Sequence, residues 1–96
     1  MAQTPTGALQ SGHINSNTTT TLKSAAGLLH SICINTKGVT GNIATVYDNT
    51  AGSGTVLAVI DTTAQVQTLL YDIQFSIGLT IVTATGTAAD LTVSFA

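Results

Sequence analysis

Beta-branched side chains are abundant in this sequence, and they constrain its fold more than any other feature. Of the 96 residues, 19 are threonine and a further 15 are valine or isoleucine. Such side chains lose rotamer freedom in a helix and pack well on a pleated sheet. Glutamate and arginine, two strong helix formers, do not occur in the chain. The composition therefore predicts an all-β protein.

Charged residues are rare. Two lysines and four aspartates make up 6% of the chain and give a net charge of −2, whereas about a quarter of the residues in an ordinary soluble domain are charged. The sequence offers neither the basic surface that phosphate backbones require nor a polybasic segment for anionic lipids. We therefore expect no nucleic acid and no membrane as a partner.

The length of the chain fits one domain. Its single cysteine, Cys33, cannot close a disulfide within the chain. The first residues lack the basic start and the apolar segment of a secretory signal, and no apolar run approaches the roughly 18 residues of a membrane span. We expect a protein that is made and kept in a cytosol.

Turn-forming residues divide the chain after residue 17 into seven strand-like segments. They are predicted at 18–23, 27–35, 42–48, 55–61, 66–73, 76–83 and 89–95. The predicted core positions are Ile32, Ile34, Val46, Ile60, Leu79, Ile81, Leu91 and Val93. These segments predict a seven-stranded antiparallel β-sandwich over residues 18–96, either immunoglobulin-like or a small jelly roll. A true immunoglobulin domain is disfavoured because the chain has no Cys…Trp…Cys pattern.

Residues 1–17 sustain no period of 2 or 3.6, and Leu9 and Ile14 are isolated apolar points among polar neighbours. This composition predicts an extended N-terminal arm that orders on binding. An arm of this kind can add to the sheet edge of a partner, with Leu9 and Ile14 as anchors. A tail that binds nothing is the alternative.

The segment 55–61 is apolar on both of its faces. Leu57 and Val59 share one face, and the residues between them and beside them lie on the other. A small sandwich cannot bury both faces of such a strand, so we expect Leu57 and Val59 to contact another subunit. The sequence thus favours a homo-oligomer, with a trimer as the preferred state.

The second predicted strand is the clearest example of two-residue alternation. One face is predicted to carry Leu28, His30, Ile32 and Ile34, and the other Leu29, Ser31, Cys33 and Asn35. His30 and Cys33 then point to opposite faces and cannot share a metal ion. We expect His30 to be a hydrogen-bonded inward residue and Cys33 to act as a small hydrophobe.

No other group of residues predicts a catalytic or metal-binding site. The segment 48–52 resembles the opening of a calcium loop, but its glycine is in fifth place and Val59 stands where such a loop requires glutamate. An ordinary Asx-turn at Asp48 is the better interpretation. We expect neither an enzyme nor a cofactor.

Characteristic turn and core segments lie within the stretch from Leu22 to Phe95, which covers about three quarters of the chain. They are AGLLHSI at 26–32, VYDNTAGSGTV at 46–56, IDT at 60–62, LYDI at 70–73, FSIGL at 75–79 and ADLTV at 89–93. Together they resemble small β-sandwich structural proteins of tailed bacteriophages. The resemblance implies a virion component, either a decoration or cement protein on the major capsid protein shell, or a head-to-tail, collar or fibre module that binds a receptor or glycan.

Overall fold

The computed structural model describes residues 8–96, and every regular element in this range is a β-strand. The eight strands are β1 (Gln10–Ile14), β2 (Thr19–Lys23), β3 (Gly27–Thr36), β4 (Ile43–Asp48), β5 (Thr55–Asp61), β6 (Thr68–Phe75), β7 (Leu79–Ala84) and β8 (Asp90–Phe95). All of their pairings are antiparallel. The predicted all-β sandwich is confirmed, with eight strands in place of seven.

The strands form two four-stranded sheets that pack face to face. Sheet A has the order β1-β8-β3-β6, and sheet B has the order β2-β7-β4-β5. This order is that of a jelly roll, in which eight strands form two Greek keys. An immunoglobulin-like sandwich groups its strands differently, as ABED and CFG. The strand order therefore selects the jelly roll from the two predicted alternatives.

The hydrophobic core lies between the two sheets. Its buried members are Ile14, Leu29, Ile32, Ile34, Ala44, Val46, Ile60, Phe75, Leu79, Ile81, Ala89, Leu91, Val93 and Phe95. All eight core residues predicted from the sequence are among them. In β8 the burial alternates at every second residue, because successive side chains of a strand point to opposite faces.

The first strand corrects the predicted N-terminal arm. Residues 10–14 pair with β8 in a continuous register, and Ile14 lies opposite Leu91 with only 3% of its surface exposed. The sequence pattern missed β1 because Ile14 is its one large apolar residue, so no alternation is visible. Residues 1–7 of the predicted arm lie outside the described residues.

A change of register in β3 corrects the predicted face of His30. The pairing of β3 with both of its neighbours shifts between Leu29 and Ser31. Leu29 is fully buried as a result, whereas His30 lies outside the core and is hydrogen-bonded to Asp72. Opposite the shift, Asp72 of β6 adopts a left-handed backbone with φ of 51°. One extra residue in a strand moves the side chains beyond it to the opposite face of the sheet. The alternation of apolar and polar residues in the sequence does not reveal such a residue.

One buried side chain, Asn42, joins the loops at one end of the sandwich. Its Nδ2 donates to Oδ1 of Asn17 (2.8 Å) and to the carbonyl of Thr85 (2.9 Å). Its Oδ1 accepts hydrogen bonds from Oγ1 of Thr62 (2.6 Å) and from the backbone N–H of Ala89 (3.2 Å). The loops that precede β2, β6 and β8 are thereby tied to the start of β4.

Candidate interaction surfaces

The outer side of sheet B carries an exposed apolar surface, formed by β4 and β5. We define the apolar face as Ile43, Val56 and Val59, which are 41%, 48% and 64% exposed. In the pairing of the two strands Thr45 lies opposite Val59, the half-buried Tyr47 lies opposite Val56, and the exposed Asp61 lies opposite Ile43 at the edge of the face. Directly opposed residues point the same way, so these six side chains share one surface, which is apolar except for Thr45, the hydroxyl of Tyr47 and Asp61.

The loop from 49 to 54 covers the outer side of sheet B around Thr80 and Val82 of β7. Oγ1 of Thr80 on β7 donates to the carbonyl of Asn49 (2.7 Å), and Oγ1 of Thr21 on β2 donates to the carbonyl of Thr50 (3.2 Å). Thr80 is fully buried beneath this loop although it belongs to the outer side of the sheet. The apolar face is therefore confined to the β4–β5 half.

The four residues predicted to bind a partner have different environments. Val59 is the most exposed member of the apolar face, and Leu9, just before β1, is 47% exposed. Leu57 is half-buried against the core because the pairing of β5 with β4 shifts register beside it. Ile14 is buried in the core. Val59 and Leu9 are thus accessible to a partner, whereas Leu57 is half-buried and Ile14 is buried.

The outer side of sheet A is polar over β1, β8 and the end of β3, where side chains are hydrogen-bonded to one another, whereas its β6 edge carries the exposed Leu70. His13 Nε2 lies 2.7 Å from Oδ1 of Asp90, and Nδ2 of Asn35 donates to Asp90 (2.9 Å) and to Oγ1 of Thr92 (2.9 Å). Sγ of the half-buried Cys33 donates to Oδ1 of Asn35 (3.4 Å). We call these five residues the polar cluster.

The hydrogen bond from Asn35, reinforced by His13, lowers the pKa of the Asp90 carboxyl. These bonds favour the ionised carboxylate of Asp90, which accepts them. A second pair, His30 and Asp72, lies on the same sheet with Nδ1 and Oδ1 2.5 Å apart. Within residues 8–96, no group of three or more His, Cys, Asp or Glu side chains is placed to hold a metal ion.

Asp48, at the start of the segment that resembles a calcium loop, binds a different turn. Its carboxylate accepts hydrogen bonds from the backbone N–H groups of Ser76 (2.9 Å), Ile77 (2.8 Å) and Gly78 (3.3 Å). The bonds from Ser76 and Ile77 lower the pKa of this carboxyl most. The local Asx-turn predicted at Asp48 is thus replaced by a cap on the β6–β7 turn, and Asn49 makes the local bond to the carbonyl of Ser53 (2.8 Å).

Two shallow depressions lie at opposite ends of the sandwich, each with a volume of about 570 Å³. The one between the β3–β4 and β5–β6 loops, which we call the loop depression, is lined by Asn35, Thr36, Lys37, Gly38, Val39, Thr40, Thr63 and Val66. The surface of this lining is mostly apolar, with Val39 and Val66 both exposed, and a few polar groups lie among the carbon atoms. Such a lining can contact the apolar face of a ligand and offers it a small number of hydrogen-bonding groups.

Residues 8–96 contain no helix that is long and apolar enough to span a bilayer. Comparison with known proteins finds no matching family model, no matching curated protein and no matching solved structure.

Proposed function

We propose that this protein is a structural component of a bacteriophage virion, a decoration or cement protein that binds the head shell of major capsid protein. The observation that carries the proposal is the grouping of three exposed apolar side chains on adjacent strands of sheet B, whereas the exposed Leu70 of sheet A lies opposite Ser31. The apolar face lies on sheet B, and the polar cluster lies on sheet A. A subunit of this kind can lie on a shell through its apolar face and keep its polar side in solvent.

The jelly-roll order of the strands supports this proposal, since viral capsid proteins use this topology. Lectin domains and cupins use it too, so the topology alone does not assign a function. The resemblance of the turn and core segments to phage structural proteins adds independent support. The protein would act by adding contact area between neighbouring shell subunits.

The apolar face is small, and its size affects how a shell would be bound. Two strands are about 10 Å wide and about 20 Å long, which gives a contact of roughly 200 Å², whereas a stable interface buries about 800 Å² on each partner. One copy would therefore bind weakly through this face. Full occupancy would require linked copies that bind together.

The proposal is tested by co-sedimentation with particles of the encoding phage from which the protein has been stripped. Val59→Lys introduces a charge into the apolar face, and we expect it to lower the bound fraction at least tenfold. Leu70→Lys is the matched control, because Leu70 is 66% exposed but lies on β6 of the other sheet. Failure of the wild-type chain to bind, or equal binding by the Val59→Lys variant, would contradict the proposal.

The loop depression supports a second candidate function, a tail, collar or fibre module that binds a receptor or glycan. Thr36 and Thr40 line it and carry hydroxyls that could hydrogen-bond a sugar, whereas the hydroxyl of Thr63 already donates to Asp61. Copy number in purified particles separates the two functions. On the order of hundreds of copies indicates decoration of a repetitive shell, and a few tens or fewer indicate a tail, collar or fibre.

A further inference from the structure

We infer that β1 is a dimerisation strand that pairs, edge to edge and antiparallel, with β1 of a second copy of this chain. Strand β1 pairs with β8 on one side, and no described strand pairs with its other side. Such an edge presents a row of backbone N–H and C=O groups that another strand can bind.

The four edge strands of the sandwich differ in regularity. The pairing of β2 shifts between Thr21 and Lys23, that of β5 shifts beside Leu57, and that of β6 shifts beside Asp72. Only β1 keeps an unbroken register with its neighbour, over five consecutive pairs. Bulges twist an edge away from an incoming strand, so three of the four edges carry protection that β1 lacks.

The same three edge strands that have a register shift also carry a charged residue. Strand β2 carries Lys23, β5 carries Asp61 and β6 carries Asp72. The sequence of β1 is Gln-Ser-Gly-His-Ile, with no lysine, aspartate or proline. Charged residues and proline are the usual means of preventing edge pairing. Strand β1 is thus the one edge with neither a bulge nor a charge among residues 8–96.

The second copy is the occupant because β1 is complementary to itself. Two antiparallel β1 strands pair over all five residues only when Gly12 of one copy lies opposite Gly12 of the other. The two-fold axis then passes between these two glycines. Ser11 then lies opposite His13 of the partner subunit, and Gln10 lies opposite Ile14 of the partner subunit. No like charges meet, and glycine at the axis adds no side chain. A pair of this kind is a closed two-fold dimer, not the trimer that the sequence favours.

This pairing also fixes the direction of the two apolar faces. Directly opposed residues of an antiparallel pair point to the same side of the sheet. The cores of both copies, and hence both sheets B, then lie on the same side of a continuous eight-stranded sheet. If the protein binds a shell as proposed, the dimer presents two apolar faces to it at once.

Sedimentation equilibrium of the full chain tests the dimer without any shell. We expect the molar mass to rise with concentration from one to two chains of 9.7 kDa. Gln10→Lys should raise the dissociation constant at least tenfold, because the ammonium group would lie beside Ile14 of the partner subunit. Gln74→Lys is the matched control, since Gln74 is an exposed glutamine on β6, the other edge of sheet A. Far-ultraviolet spectra should show all three proteins folded.

Hydrogen exchange locates the interface. Amide exchange of the β1 N–H groups that point away from β8 should slow at least tenfold between dilute and concentrated protein, with no such change in β6. A monomer at hundreds of micromolar, a trimer, or dissociation caused by Gln74→Lys would overturn the inference. Slow exchange of these outward-pointing N–H groups at every concentration would also overturn it, since the edge would then be covered by its own chain. Loss of shell binding with an intact dimer would contradict only the proposed function.

Discussion

At the scale of single residues, the buried amide of Asn42 has the largest predicted effect on stability. Its partners include Thr62 and the backbone N–H of Ala89, which are themselves buried. We expect Asn42→Ala to lower the free energy of unfolding by about 3 kcal/mol, because it leaves buried donors and acceptors unpaired. Urea unfolding measures this. Asn15→Ala, at an exposed position, should change the value by less than about 0.5 kcal/mol.

The carboxylate of Asp48 makes stability depend on pH. Its hydrogen bonds to the β6–β7 turn lower its pKa in the folded state, so the stabilisation is complete above the ordinary value of 3.8 and is lost as the pH falls through the folded value. We expect Asp48→Asn to be less stable than wild type at pH 7 and to lose less stability between pH 5 and pH 2. Urea midpoints across this range test it; parallel curves for the two proteins would contradict it.

At the scale of elements, the β7–β8 turn contains a residue that is poorly suited to its backbone. Thr85 has a φ of 73° and precedes Gly86 at 63°. A β-branched side chain is disfavoured in this left-handed region, and asparagine is tolerated there. Thr85→Asn should therefore raise the free energy of unfolding by about 0.5 to 1 kcal/mol. Thr87→Asn, two residues later, should bring no gain; a lower thermal midpoint for Thr85→Asn would show the expectation to be wrong.

At the scale of the whole molecule, stability depends on one core between two small sheets. Ile81 is fully buried in it, whereas Ile77 in the β6–β7 turn is 57% exposed. We expect Ile81→Ala to cost about 2 to 5 kcal/mol, through lost burial and the cavity left behind. This is a large share of a domain's total of about 5 to 15 kcal/mol. Ile77→Ala should cost less than about 1 kcal/mol, and similar urea midpoints for the two variants would contradict this description of the core.

The amino-acid sequence by itself determined the strand content and the eight predicted core residues, because both follow from side-chain type and two-residue periodicity. It also identified Val59 as an exposed apolar residue. The tertiary structure decided what depends on distant parts of the chain. Strand β1 exists because β8, about eighty residues later, lies beside it. The shifts beside His30 and Leu57 arise from pairing with neighbouring strands. Asn42 has a role only once three loops converge on it, and local periodicity contains no information about such long-range contacts.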